Sequence, residues 1–102
     1  ITRLSGFKGC SSLCSISIPS TVTLIGGNAF YGCTGLQGEL KLPQNLETIC
    51  GSAFYDCTGL SGELIIPDNV EQIDNYAFRN TNFTTLKLGK SIKKNRQQCF
   101  HI

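Results

Sequence analysis

Apolar residues recur along this chain in short alternating runs, and the runs repeat. Between Leu60 and Phe78, Leu64 and Ile66 point one way and Glu63 and Ile65 the other, the pattern of a short half-buried strand. Pro67-Asp68-Asn69 follows as a turn, since proline fixes φ and Asp and Asn tolerate turn geometry. Val70 and Ile73 face inward on the way back, Asp74-Asn75-Tyr76 makes a second corner, and Ala77-Phe78 inserts a small and a large residue. Other segments fit the same frame. Ile16 and Ile18 match Leu40 and Leu42, Leu64 and Ile66, then Leu86 and Leu88; Val22, Leu46, Val70 and Ile92 align, as do Ile25, Ile49 and Ile73.

The frame is punctuated by one phrase. Phe7-Lys8-Gly9-Cys10, Phe30-Tyr31-Gly32-Cys33 and Phe54-Tyr55-Asp56-Cys57 lead to a worn fourth copy at Phe78-Arg79-Asn80-Thr81, with steps of 23, 24 and 24 residues between phenylalanines. Recurrence at 20–30 residues marks a solenoid, whose units are each too small to bury an apolar face alone. The expected fold is mostly β: a right-handed solenoid of about four 23–24-residue coils with short parallel strands and little helix. Its solenoid body covers residues 1–92, with 93–102 a degenerate terminal repeat or a basic tail. Equivalent apolar residues from successive coils then form ladders, and Phe30 and Phe54 are interior and stacked.

These residues carry a family resemblance. The pattern Leu-x-x-x-Ile-x-Ile-Pro-x-x-Val-x-x-Ile-Gly-x-x-Ala-Phe-x-x-Cys-x-x-Leu resembles the BspA-like leucine-rich repeats, the class also found in treponemal surface proteins. Ile25-Gly26-Gly27-Asn28-Ala29-Phe30-Tyr31-Gly32-Cys33 matches closely. Departures are an extra residue in Gln37-Gly38-Glu39 and in Ser61-Gly62-Glu63, Cys50 and Asp74 in place of glycine, Thr81 in place of cysteine, and Asn95 where Ile25, Ile49 and Ile73 predict isoleucine. The resemblance implies an extracellular or cell-surface location and an adhesion-like role with a protein ligand, such as a host or extracellular-matrix protein.

Composition adjusts this picture little. The 102 residues make one small domain at most, with 40% hydrophobic and 16% charged residues, globular rather than disordered. No run approaches a membrane span, and no leader is visible. The chain holds no Met and opens inside a repeat, so a piece of a longer array or a processed segment is expected. Residues 1–86 carry four basic side chains against seven acidic, whereas 87–102 carry five basic and none acidic. A short basic end is ordinarily a solvated tail. It does not point to nucleic acid, because only Phe100 is interleaved with its charges.

Six cysteines suggest disulfides, but Cys10, Cys33 and Cys57 share one repeat position. Stacked side chains point the same way, whereas a disulfide needs Cβ atoms turned toward each other. These three read as buried, reduced thiols, small enough to let coils approach, and Cys14, Cys50 and Cys99 fall at three unrelated positions. No catalytic constellation is present. The single histidine, His101, lies beside Cys99 with no third group to orient it. No Cys-x-x-Cys or other metal-ligand spacing occurs, and Glu39 with Glu63 supplies too few oxygens for calcium. Gly26-Gly27 and Gly35 to Gly38 lack the Lys-Ser/Thr of a phosphate loop. Neither cofactor nor catalysis is expected. Asn82-Phe83-Thr84 is a glycosylation sequon, relevant in a secretory pathway.

What the repeat offers is a surface. The outward strand positions Ser15, Ser17, Glu39, Lys41, Glu63, Ile65, Thr85 and Lys87 form a strip that differs from copy to copy, while the ladders do not. Solenoids use such extended faces for macromolecular partners. The strip is therefore the candidate partner-binding face. The other reading is a structural spacer within a larger protein, with no ligand of its own.

Overall fold

The computed structural model describes residues 2–95. Cys99 and His101, with the rest of residues 96–102 at the end of the basic segment, lie outside them. The described chain winds into stacked coils containing seven short strands and no helix: β1 (Thr2–Leu4), β2 (Val22–Ile25), β3 (Thr48–Ile49), β4 (Ser61–Ile65), β5 (Gln72–Ile73), β6 (Asn82–Lys87) and β7 (Lys94–Asn95). All pairing is parallel. A five-stranded sheet has the order β1-β2-β3-β5-β7, and β4 and β6 form a second, two-stranded sheet. Register follows the repeat: Ile25 pairs with Ile49, Ile49 with Ile73, and Ile73 with Asn95.

The continuous sheet thus runs through the Ile25–Ile49–Ile73 slot. The alternation at Leu64 and Ile66 predicts strands at every equivalent position, and strands form there only in the last two coils. Ser15 and Ser17, and likewise Glu39 and Lys41, lie on segments outside any strand. The reason is that in and out alternation needs only an extended chain. A strand also needs its neighbour at hydrogen-bonding distance along its whole length.

Where a strand ends, turns take over. Val22, Leu46 and Val70 N–H groups donate to the carbonyls of Pro19, Pro43 and Pro67, three residues earlier. The fourth coil has Gly89 in this slot, and a Cβ there would lie 2.4 Å from the Pro67 carbonyl oxygen. After the sheet, each coil makes consecutive tight turns, with Tyr31 N–H donating to Asn28 O and Cys33 N–H to Phe30 O. Two residues per coil take left-handed backbone here, Asn28, Ser52 and Tyr76 in one slot and Gly9, Gly32, Asp56 and Asn80 in the other. Glycine, asparagine and aspartate are the residues that enter this region most readily. Main-chain bonds stitch the turns to the next coil: Phe30 N–H to Ala53 O at 2.7 Å, and Phe54 N–H to Ala77 O at 2.7 Å.

The core lies between these walls as ladders. Phe7, Phe30, Phe54 and Phe78 stack with centroids 5.1, 5.1 and 5.3 Å apart and ring planes within 8° of parallel. Phe30, Phe54 and Phe78 are buried, as are Ile25, Ile49 and Ile73, Val22, Leu46 and Val70, and Ala29, Ala53 and Ala77. Phe83 closes the stack edge-on against Phe78. At the ends the ladders open. Leu86 and Ile92 are half-buried and Leu88 is exposed, contrary to its alignment with buried Ile66, because the fourth coil has no later coil against it among the described residues.

Cysteine occupies its own ladder. The thiol of Cys33 donates to the carbonyl of Phe7, and that of Cys57 to the carbonyl of Phe30, each one coil back. Thr81, in the same slot, turns its hydroxyl to the carbonyl of Phe78 in its own coil. Cys10, Cys14, Cys33, Cys50 and Cys57 are all free thiols. Cys33 and Cys57 are buried as expected. Cys10 is only half-buried, because it belongs to the first coil and has no earlier coil above it among the described residues.

Burial pushes the Cys57 thiol up from 9.0 to about 12 and raises Cys33 in the same direction. The folded chain therefore keeps the Cys57 proton over a range in which the unfolded chain releases it. Stability is fully present below pH 9 and falls as the pH climbs toward 12. Across that window native Cys57 should resist thiol reagents while exposed Cys14 reacts. Denaturation melts should show the parent chain losing up to ~1.4 kcal/mol per pH unit more than a Cys57→Ala variant. Equal slopes, or rapid native labelling of Cys57, would show an accessible thiol.

Candidate functional site

All eight residues of the strip are exposed. The structure brings them together unevenly. Glu63 and Ile65 on β4 sit in register with Thr85 and Lys87 on β6, so this end is a true two-stranded face. Ile65 is 51% exposed and stands out as the most exposed large apolar side chain among the described residues. Its flanks carry opposite charges, Glu63 two residues before it on β4 and Lys87 paired opposite it on β6.

Toward the first coils the face opens. Only a bridge between Gly38 and Leu60, with Ser61 N–H donating to Gly38 O, ties the second coil to β4. Beyond it lies a groove of about 580 Å³, lined by residues 39–42 and 44 on one side and by Glu63 and residues 65–69 on the other. A smaller groove of about 330 Å³ separates the first and second coils and takes in Ser15, Ser17, Glu39 and Lys41. Glu39 lies across the seam, its Cγ only 3.0 Å from where a Cβ on Gly62 would sit. Gly62 has φ +78°, so glycine meets both demands of this position. The strip is thus a corrugated surface, with Glu39, Lys41, Glu63 and Ile65 framing one hollow.

The turn at the edge of this face is held by side chains whose role the sequence does not announce. Asn45 and Asn69 donate through Nδ2 to the carbonyls of Ser20 and Gln44, each in the preceding coil, at 2.9 Å. In the fourth coil the bond is reversed in kind: Lys90 N–H donates to the Asp68 carboxylate at 3.2 Å. Asn82 of the glycosylation sequon is exposed, and its amide nitrogen donates to the carbonyl of Thr58. An asparagine recurring 24 residues apart in a turn was the available signal for such a ladder.

A second surface feature escapes the strip altogether. Tyr31 and Tyr55 stack at 5.0 Å, Tyr76 meets Tyr55 edge-on at 6.0 Å, and Lys8 and Arg79 cap the row over the Tyr31 and Tyr76 rings. The residue after the phenylalanine in the repeated phrase marks this row, but its order continues through Tyr76 from a different slot.

Chemically the face offers two carboxylates, two amines, hydroxyls and an isoleucine, which suits reversible contact with a macromolecule. Among the described residues no group of three or more His, Cys, Asp or Glu side chains is gathered to hold a metal ion. No helix among them is long and apolar enough to cross a membrane.

Comparisons with known proteins agree with the architecture. The profile of the family described as BspA type leucine rich repeat region (6 copies) matches residues 36–102. Among solved structures, the chain is similar to the T. pallidum leucine rich repeat protein TpLRR, at 30% identity and a TM-score of 0.54, over 76% of this chain and 46% of that one. The chain thus spans about half the length of that structure. No curated protein matches it.

Proposed function

The chain belongs to the BspA-type leucine-rich repeat family, and we propose that it serves as a non-catalytic binding module of a surface or secreted protein, adhesion-like, gripping a protein partner through the strip. The observation that carries this reading is Ile65. An apolar side chain held 51% exposed on a two-stranded face, bordered by charges of both signs, stands outside the buried core. It is the kind of central anchor around which interfaces form, with the charged rim tuning encounter. Family membership supports the repeat-scaffold role over catalysis, since these repeats generally act as scaffolds.

A test is surface plasmon resonance of the immobilised chain against a panel of purified extracellular-matrix proteins. For a ligand that binds saturably, Ile65→Asp should weaken affinity by tenfold or more, about 1.4 kcal/mol. Lys87→Ala at the rim should change it by less than threefold. If no panel member binds, or if both variants bind as the parent does, the strip is ordinary solvated surface. The spacer reading would then be preferred.

A further inference from the structure

The hollow between the second and third coils pairs an apolar lining with an acidic rim. Leu40, Leu42, Ile66 and Pro67 supply apolar surface, and exposed Ile65 stands beside them. The seam itself is shut. Ser61 N–H donates to Gly38 O at one end and Asn69 Nδ2 to Gln44 O at the other, over buried Leu40 and Leu64. What enters the hollow is therefore a side chain laid in from outside, not a length of main chain between the coils. The charges at its rim are unspent. Glu39, from the second coil, crosses the seam to lie over Gly62, with Oε2 3.3 Å from where a Cβ there would sit. Glu63 follows Gly62, so two coils each bring a carboxylate to one rim. Among the described residues neither glutamate forms an ion pair, and nor does Lys41 in the same hollow. Asp68, the other acid lining it, accepts a hydrogen bond from Lys90 N–H.

We propose that this hollow receives an arginine side chain from the surface of the partner protein, its guanidinium between Glu39 and Glu63, with an apolar neighbour of that arginine resting on Ile65. The inference rests on the strip reading and names the partner's chemistry. Charge complementarity selects the occupant, since three acids line the hollow against a single cation, Lys41. The apolar lining selects its form. Arginine buries its methylene stem along apolar surface while its head stays at a charged rim. Lysine suits the rim less well. A guanidinium is planar, weakly hydrated and pairs with carboxylates through two hydrogen bonds at once, whereas an ammonium is a compact, strongly hydrated point charge. Size permits the fit: about 580 Å³ lies within the ~300–1,000 Å³ of ligand sites. Arginine is also one of the residues on which interface affinity concentrates.

The probe is N-acetyl-arginine amide, compared with the neutral citrulline analogue and with N-acetyl-lysine amide, each titrated into the full chain and followed by amide NMR. The arginine compound should shift the amides of Gly62, Glu63 and Ile65 saturably. The citrulline compound should bind at least tenfold more weakly, and the lysine compound at least threefold. A Glu39→Gln/Glu63→Gln chain should lose at least tenfold in affinity for the arginine compound. Glu47→Gln, at an exposed acid just before β3, should bind it as the parent does. These changes are on exposed side chains, so an unchanged circular dichroism spectrum controls for folding. Three results would overturn the proposal: citrulline or lysine binding as well as arginine, saturable shifts that fall outside the hollow, or parental affinity in the double variant. A protein ligand that needs Ile65 but binds the double variant as tightly as the parent would keep the strip and remove the arginine. Failure of protein ligand and arginine compound together would remove both.

Discussion

Phe54→Ala should cost about 3–5 kcal/mol of folding stability, the range for truncating a fully buried phenylalanine. Phe54 has no exposed surface, and its ring sits between those of Phe30 and Phe78 at 5.1 and 5.3 Å, nearly parallel to both. Removal leaves a ring-sized hole that neither neighbour can fill. Phe30 is held by its main-chain bond to Ala53, and Phe54's own N–H is bonded to Ala77. The backbone pitch is therefore fixed by hydrogen bonds while the filling is gone. In a solenoid each coil touches only its neighbours, so a gap in a central coil weakens two interfaces together. Phe7, half-buried with a ring neighbour on one side only, makes the comparison: Phe7→Ala should cost less than half as much. Urea unfolding of both variants reads the difference. A loss below about 1 kcal/mol at Phe54 would mean that the stack does not carry the core.

This ladder was legible in the sequence because stacking in a solenoid follows from spacing alone. Residues 23–24 apart that recur as Phe, Ile, Val or Ala have nowhere to go but above one another. Exposure of Glu63, Ile65, Thr85 and Lys87 was legible for a similar reason, since alternation around Leu64 and Leu86 fixes which face each side chain takes. The pairing of those segments was not. Leu40 and Leu64 occupy one slot and both are buried, yet only the second lies in a strand, because hydrogen bonding depends on how far adjacent coils splay. The hollow beside Ile65 is a product of that splay and leaves no trace in composition. The Asn45 and Asn69 bridges were hidden by their residue type, which ordinary turn chemistry already explains. Leu88 reads as core by alignment and is exposed by position, a distinction that belongs to the end of the stack rather than to its own neighbours in sequence.

Glycine gives the sharpest case of a role invisible to local reading. Gly35 and Gly59 follow a threonine after the cysteine of the repeated phrase, and the ordinary inference is a flexible loop. Neither has the left-handed backbone that favours glycine, so conformation does not require it. What requires it is the previous coil. A Cβ on Gly59 would stand 2.1 Å from the carbonyl oxygen of Leu36, and one on Gly35 would stand 2.3 Å from that of Ser11. The first coil carries Ser12 at this slot, where no earlier described coil presses on it. Gly59→Ala should therefore destabilise by about 2–3 kcal/mol, within the usual cost of forcing atoms into a filled interior. The obstacle is main chain, pinned by the Leu36 and Leu60 turns to Cys33 and Cys57, so no side-chain rotation relieves it. Gly27→Ala is the control: its nearest atom would be the Gly51 carbonyl oxygen at 3.7 Å, an ordinary contact. That change should be neutral, or slightly stabilising through the narrower unfolded ensemble. Should Gly59→Ala melt with Gly27→Ala, the third coil must sit farther from the second than this packing allows, and the groove beside Ile65 would be wider at its closed end too.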